Sequence, residues 1–304
     1  MRASTTVPFA AQIAALATLA LLSACGGGGG DGTPPPTATV TSASVAATNF
    51  GTSAFVQMSG TNLDTGMAIS SNECRGLTRL STPPYVSSAT IAYYSCTVVR
   101  LGGTITMKNK ADGATLKSVT FTVPSPQVKM TWGGAVAASI YVDLDADKVP
   151  DTVANFLAYV NSTDHRYENT IIHRVVRPQP LTGNLSIIQG GGYGPTNSVV
   201  LGNHIAQFSP IALQTDPTLL NVAGTIAMAR AADPNSATSE YYFNVDANPG
   251  LDGSYAVFGH LHTPGDIVVL QAIQASACTP YPGDQSGSCI PLPNVVLQDV
   301  AQTL

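Results

Sequence analysis

Charge is scarce in this sequence. Only 10% of its 304 residues are Asp, Glu, Lys or Arg, the formal net charge is -5, and basic residues nowhere form a run. The electrostatic footprint that holds nucleic acid or an anionic bilayer surface is therefore missing. Parts for nucleophilic, phosphate and metal chemistry are missing too. No Gly-x-Ser-x-Gly elbow or phosphate-cradling glycine loop occurs. Of the five histidines, only His260 and His262 lie close together, two apart on one strand face, and no third ligand accompanies them. No cofactor and no metal is expected. The 44% of hydrophobic residues suits a folded chain with a buried core.

The first 25 residues read as an export signal: Arg2 supplies positive charge and Val7 to Leu22 an apolar stretch too short for a membrane span. The tetrad Leu22-Ser23-Ala24-Cys25 resembles the bacterial lipobox, which implies acylation of Cys25. Ordinary cleavage would instead leave Cys25 as a thiol. Gly26 stands where an Asp would signal inner-membrane retention in enteric bacteria, so the periplasmic face of the outer membrane is the expected location, with the lipid as the sole membrane contact. Residues 26–37 have the Gly and Pro content of a linker. Cys74, Cys96, Cys278 and Cys289 remain, an even set in a disulfide-permitting compartment. Pairing 74 with 96 and 278 with 289 keeps each bridge within one domain, although other pairings and free thiols stay open.

Residues 38–126 show short β-type stretches at 54–58, 89–94, 104–107 and 119–123, punctuated by Gly, Asn and Asp, with no helical periodicity between them. An immunoglobulin-like β-sandwich is expected, serving as a spacer. After Pro124-Ser125-Pro126 the pattern changes. Ala138 to Leu144 alternates as a strand does, and a helix follows: Pro150 suits its first position, Asp151 complements its dipole, and Val153, Phe156, Leu157 and Val160 form a core-facing stripe.

The stretch from Tyr141 to Leu157 resembles the opening strand and first helix of bacterial cyclophilins. Further blocks follow in that family's order: Ile172-His173-Arg174-Val175-Val176, Ile188-Gln189-Gly190-Gly191-Gly192-Tyr193, Gly224 to Arg230, Asp233 to Ser239, and Tyr255-Ala256-Val257-Phe258-Gly259. The resemblance spans residues 127–304. It implies a mainly β fold, an eight-stranded antiparallel barrel capped by two helices, and cofactor-free peptidyl-prolyl isomerase activity on proline-containing polypeptides. It also implies that Arg174 is catalytic and that Gln189 contacts substrate and positions the arginine. Ile187, Met228, Ala229, Arg230, Glu240, Tyr242, Leu251 and Tyr255 are the implied substrate-binding set, with Tyr242 the floor of a proline slot and Leu251 a wall.

That chemistry makes physical sense for these residue types. Rotation about a prolyl amide breaks resonance over a barrier of about 18 to 20 kcal/mol. A fixed cation near the prolyl nitrogen and an apolar grip on the ring bind the twisted amide best. The chain departs from the family at several places. Ser186 and Ile187 stand where an aromatic and another apolar residue are usual, which is expected to thin one wall of the proline slot, and residues 178–184 replace a tight connection. Glu240 replaces a neutral amide, where pairing with Arg174 would weaken the field at the substrate, and Gly250 replaces an aromatic that helps bind cyclosporin. Weak cyclosporin inhibition is expected. The leading reading is an isomerase that assists exported proteins. Alternatives are a non-catalytic peptide-binding or chaperone module on the same scaffold, and a structural lipoprotein in which the N-terminal part does the main work.

Overall fold

Period-two alternation of apolar residues builds most of this chain. The computed structural model describes residues 36–178, 185–280 and 287–304. The expected export signal, Cys25, the linker up to residue 35 and insertion residues 179–184 lie outside the described residues.

The N-terminal strands are β1 (Thr39–Ala46), β2 (Ser53–Thr61), β3 (Met67–Ser70), β4 (Cys74–Arg79), β5 (Ser81–Thr82), β6 (Tyr85–Val86), β7 (Ile91–Val98), β8 (Gly102–Asn109) and β9 (Thr115–Thr122). They form an antiparallel sheet ordered β1-β2-β7-β4, a second ordered β3-β8-β9, and the hairpin β5-β6. Ala54, Val56 and Met58 on β2 are buried between exposed Phe55 and Gln57, and β8 buries Ile105 and Met107 in the same rhythm. A Cys74–Cys96 disulfide ties β4 to β7, with Cα atoms 5.4 Å apart.

The C-terminal elements are β10 (Gln127–Gly134), β11 (Ala138–Leu144), helix α1 (Pro150–Val160), β12 (Thr170–Ile171), β13 (Arg174–Val176), β14 (Ile187–Gly190), β15 (Thr225–Met228), β16 (Tyr241–Asn244), β17 (Val257–Leu261), helix α2 (Ile267–Ala275), β18 (Cys278–Pro280), β19 (Cys289–Pro291) and β20 (Val295–Gln302). One sheet joins all these strands in the order β12-β20-β10-β11-β17-β15-β16-β14-β13-β19-β18. The single extended stretch 170–176 supplies both β12, paired with β20, and β13, paired with β14. The sheet therefore curls until one stretch of chain joins its two sides. With 170–176 taken as one strand, eight strands surround the core, and the β18-β19 hairpin is added beyond β13.

Met130, Trp132, Ile140, Ile188, Ile226, Phe243 and Phe258 fill the interior. The stripe of α1 packs on them: Phe156 sits 5.0 Å from the Phe258 ring and 5.8 Å, edge-on, from that of Tyr241. Pro150 starts α1 as expected, and a helix start leaves N–H groups without intrahelical partners. Gln214 Oε1 satisfies one of them, accepting from Thr152 N at 2.9 Å. Asp151 meets Arg75 of the N-terminal part at 3.1 Å, and Gln302 Nε2 donates to Phe50 O at 3.0 Å. One hydrophobic cluster runs through both parts, and the described residues from Pro36 onward form one unit. Among the described residues no helix is long and apolar enough to cross a membrane.

Candidate active site

Neighbouring residues on a strand face opposite ways. Val175, Ile188, Ile226 and Phe243 point into the barrel, so the residues beside them point out. Register then aligns Arg174 with Gln189, Gln189 with Tyr242, Tyr242 with Ala227 and Ala227 with Val257, a row across five strands on the outer face. Around the apolar end of that row, Val176, Ile187, Ala227, Ala229, Tyr242 and Val257 form a second hydrophobic cluster, rimmed by Leu185, Leu219, Leu251 and Tyr255.

Tyr242 is the floor of this cluster. Its ring is 2% exposed, and its hydroxyl donates to Asn221 Oδ1 at 2.7 Å. Asn221 is held in turn by Asp252, whose Oδ1 accepts from its backbone N and its Nδ2. Burial pushes the Tyr242 phenol well above its ordinary value, so it stays a neutral donor. Tyr255 stands edge-on to Tyr242, with ring centroids 5.9 Å apart. The Arg230 guanidinium lies 4.5 Å over the Tyr255 ring and donates to Ser254 O, which fixes this rim.

Arg174 is half-buried at the polar end of the row. Its Nη1 donates to Gln189 Oε1 at 3.2 Å and its Nε to Ser288 Oγ at 3.0 Å. Among the described residues no protein atom accepts from its Nη2. Gln189 also donates, through Nε2, to Glu240 Oε2 at 2.6 Å. The amide orientation of Gln189 is thus fixed at both ends. Glu240 further faces His173 Nε2 at 3.3 Å and His204 Nδ1 at 3.4 Å. Burial works against its ionisation, but the hydrogen bond and charge of His173, the Gln189 amide and the field of His204 outweigh it and hold the carboxyl below its ordinary value. A cavity of about 280 Å³ opens beside this group, lined by Gln189, His204, Ala229, Arg230, Ser236 and Glu240 among others.

The structure brings together Arg174, Gln189, Ile187, Ala229, Arg230, Glu240, Tyr242, Leu251 and Tyr255. Met228 is different. It is 1% exposed in the barrel core, because alternation turns it inward between the outward Ala227 and Ala229. Two expectations about the departures are also corrected. Glu240 does not pair with Arg174, because the Gln189 amide lies between them. Ser186 does not thin the apolar cluster. It is fully buried on the other face of its strand, donating to Asp246 Oδ2 at 2.7 Å and accepting from Gln274 Nε2 at 2.9 Å. Leu185, one residue earlier and on the outer face with Ile187, packs against the cluster instead. Alternation back from Ile187 could have found Leu185. No local signal pointed to Ser288, which comes from the far end of the chain.

Gly250 leaves the rim open, since a Cβ added there meets no atom within 4 Å. The second expected disulfide, Cys278–Cys289, links β18 to β19 with Cα atoms 5.6 Å apart. Of the paired histidines, His262 meets Asp143 at 2.8 Å and His260 meets Asp145 at 3.7 Å. A larger groove of about 570 Å³ around Leu220, Val222, Leu261 and Ile267 shares Leu219 and Val257 with the apolar end of the row but includes neither Arg174 nor Gln189.

An outward row of arginine, glutamine and aromatic residues on a curled antiparallel sheet is the arrangement expected of cyclophilins. The model of the family described as cyclophilin type peptidyl-prolyl cis-trans isomerase/CLD matches residues 127–301, and the chain belongs to that family. Peptidyl-prolyl cis-trans isomerases of Streptomyces antibioticus, Dickeya dadantii and Escherichia coli are 36%, 38% and 37% identical to it over 140, 128 and 130 residues. Those stretches are 43%, 40% and 40% of this chain and 76%, 60% and 71% of theirs. Among solved structures, a cyclophilin type isomerase of Cryptosporidium parvum aligns over 59% of this chain and 98% of its own, with 21% identity and a TM-score of 0.43.

Proposed function

We propose that this chain catalyses cis-trans isomerisation of X-Pro bonds in exported polypeptides, working at the periplasmic face of a bacterial outer membrane to which acylated Cys25 anchors it. The observation that carries the catalytic reading is the placement of Arg174, with two of its donor nitrogens held by Gln189 and Ser288 and Nη2 without an acceptor among the described residues, beside an apolar cluster floored by Tyr242.

The chemistry follows from that placement. In the planar amide the prolyl nitrogen shares its lone pair with the carbonyl. Halfway through rotation the sharing is lost, and the nitrogen becomes pyramidal and a good acceptor. A guanidinium fixed beforehand near that nitrogen interacts more strongly with the twisted amide than with either planar form, and only such a difference lowers the barrier. Ile187, Leu251 and Tyr255 would confine the ring over Tyr242, so that the flanking peptide turns while the ring stays. Every tenfold of acceleration asks for about 1.4 kcal/mol of this difference. No bond forms or breaks, so no nucleophile takes part.

The test is the rate of cis-to-trans conversion of an X-Pro peptide with the wild-type chain and with Arg174→Ala. Acceleration by the wild type that falls at least tenfold in the variant supports the reading. No acceleration, or equal rates, would refute it and favour a non-catalytic peptide-binding module, to which the open rim at Gly250 is also suited. For the anchor, Cys25→Ser should release the protein from the membrane fraction, and an unchanged distribution would refute lipidation.

A further inference from the structure

Among the described residues, two groups of different origin hold the guanidinium of Arg174. Gln189 lies directly across the β13-β14 ladder and is expected of this site. Ser288 lies at a sequence separation of 114, immediately before β19. It is 3% exposed, and its Oγ accepts from Arg174 Nε at 3.0 Å. A planar guanidinium bonded only through Nη1 can still swing about that contact. A second bond at Nε sets the plane and thereby the direction of Nη2.

The β18-β19 hairpin that carries Ser288 joins the barrel through a short contact. Val175, next to Arg174, pairs with Cys289, next to Ser288. On the other side of that pair, Arg177 donates to Cys289 Sγ at 3.4 Å, to Gln274 O, and to Ser276 O at 2.9 Å. The hairpin ladder itself runs only from Cys278↔Pro291 to Pro280↔Cys289, and the Cys278–Cys289 disulfide closes it. Two-stranded pairings this short are marginal without a further tie.

We propose that Ser288 is a positioning residue for Arg174, and that the Cys278–Cys289 disulfide holds Ser288 in register beside it. This rests on the reading of Arg174 as the catalytic group. The disulfide then acts on the rate through geometry alone, and the oxidised hairpin is the competent form. Reduction by a dithiol would transfer two electrons and two protons to the bridge, leaving two thiols on this chain and a disulfide on the reductant.

The experiment uses the full chain and measures kcat and KM for isomerisation of an X-Pro peptide, with thermal unfolding alongside. Ser288→Ala is expected to lower kcat about tenfold, the worth of one hydrogen bond to a charged group, with KM and unfolding temperature nearly unchanged. Ser288→Thr, which keeps the hydroxyl, should restore most of the rate. In an Arg174→Ala background, Ser288→Ala should cost nothing further, since its effect passes through the arginine. Replacing both bridge cysteines, Cys278→Ser with Cys289→Ser, should reproduce the loss of kcat. If Arg174→Ala is slow but Ser288→Ala runs at the wild-type rate, or loses as much again in the Arg174→Ala background, the positioning role is overturned. Full activity of the double cysteine variant would overturn the brace. Wild-type activity of Arg174→Ala would remove the catalytic reading and this inference with it.

Discussion

Tyr242 allows the structural and chemical parts of the site to be separated in one residue. Its ring floors the apolar cluster, while its hydroxyl is spent on Asn221 at 2.7 Å, beneath the surface a substrate would touch. Tyr242→Phe keeps the ring and leaves Asn221 Oδ1 still accepting from Asn244 Nδ2 at 3.2 Å. The cost is one buried hydrogen bond with its acceptor still partly satisfied, about 1 kcal/mol. For a unit of this size that is about 2 to 4 °C in Tm. Activity should stay within about twofold of wild type, because nothing that faces the substrate has changed. Tyr242→Ala removes the ring and costs about 3 to 5 kcal/mol of stability. It also takes away the surface under one face of the proline. Burying the three ring methylenes gives about 0.8 kcal/mol each, so losing half of that contact forfeits about 1.2 kcal/mol, or about eightfold in kcat/KM. Urea unfolding and a peptide isomerisation assay on both variants check this. A Phe variant that folds normally but loses its activity would refute the argument, because the hydroxyl would then belong to the chemistry.

Two further outcomes follow from the rim and the half-buried carboxylate. Gly250→Trp places an aromatic at a position whose Cβ meets no atom within 4 Å; peptide and cyclosporin affinity measured by titration calorimetry should rise about tenfold or more, the gain expected of an aromatic anchor, and either unchanged affinity or nanomolar inhibition of the wild type would refute the open-rim reading. Glu240 titrates below its ordinary 4.5 in the folded chain, so its ionised form contributes stability that is complete above that value and is lost as the pH falls through the folded pKa. The Tm advantage of wild type over Glu240→Gln should therefore shrink between about pH 5 and pH 3, and a difference that stays constant over that range would sink the assignment.

How much could be read in advance depended on how local each feature is. Helix α1 was legible because its start signal, its dipole partner and its apolar stripe all fall within Pro150–Val160. The strand at 138–144 was legible because Ile140, Val142 and Leu144 bury on every second residue. In the N-terminal part, the stretches at 54–58 and 104–107 fall inside β2 and β8, while that at 89–94 begins two residues before β7. The outer-face row was partly legible, since Arg174 and Gln189 lie in contiguous blocks. Met228 was placed wrongly because adjacency in a block says nothing about side-chain direction, whereas period two puts Ala227 and Ala229 on one face and Met228 on the other.

Sequence blocks could not show what stands between two charged groups. Strand register sets Gln189 opposite Arg174, and its two hydrogen bonds, from Arg174 and to Glu240, place that amide between them. A direct ion pair would have drawn the guanidinium toward the carboxylate and spent its donors there. With the amide interposed, Glu240 instead fixes which end of Gln189 faces the arginine, because a carboxylate can only accept and so must meet the NH₂. The carboxylate expected to weaken the site thereby orders it, and its oxygens also face His173 Nε2 and His204 Nδ1. A neutral amide at position 240 could meet Gln189 in either orientation and would leave Arg174 alone to fix it, whereas the acid sets the same direction from the other end of the hydrogen-bonded chain that ends at Arg174 Nη1.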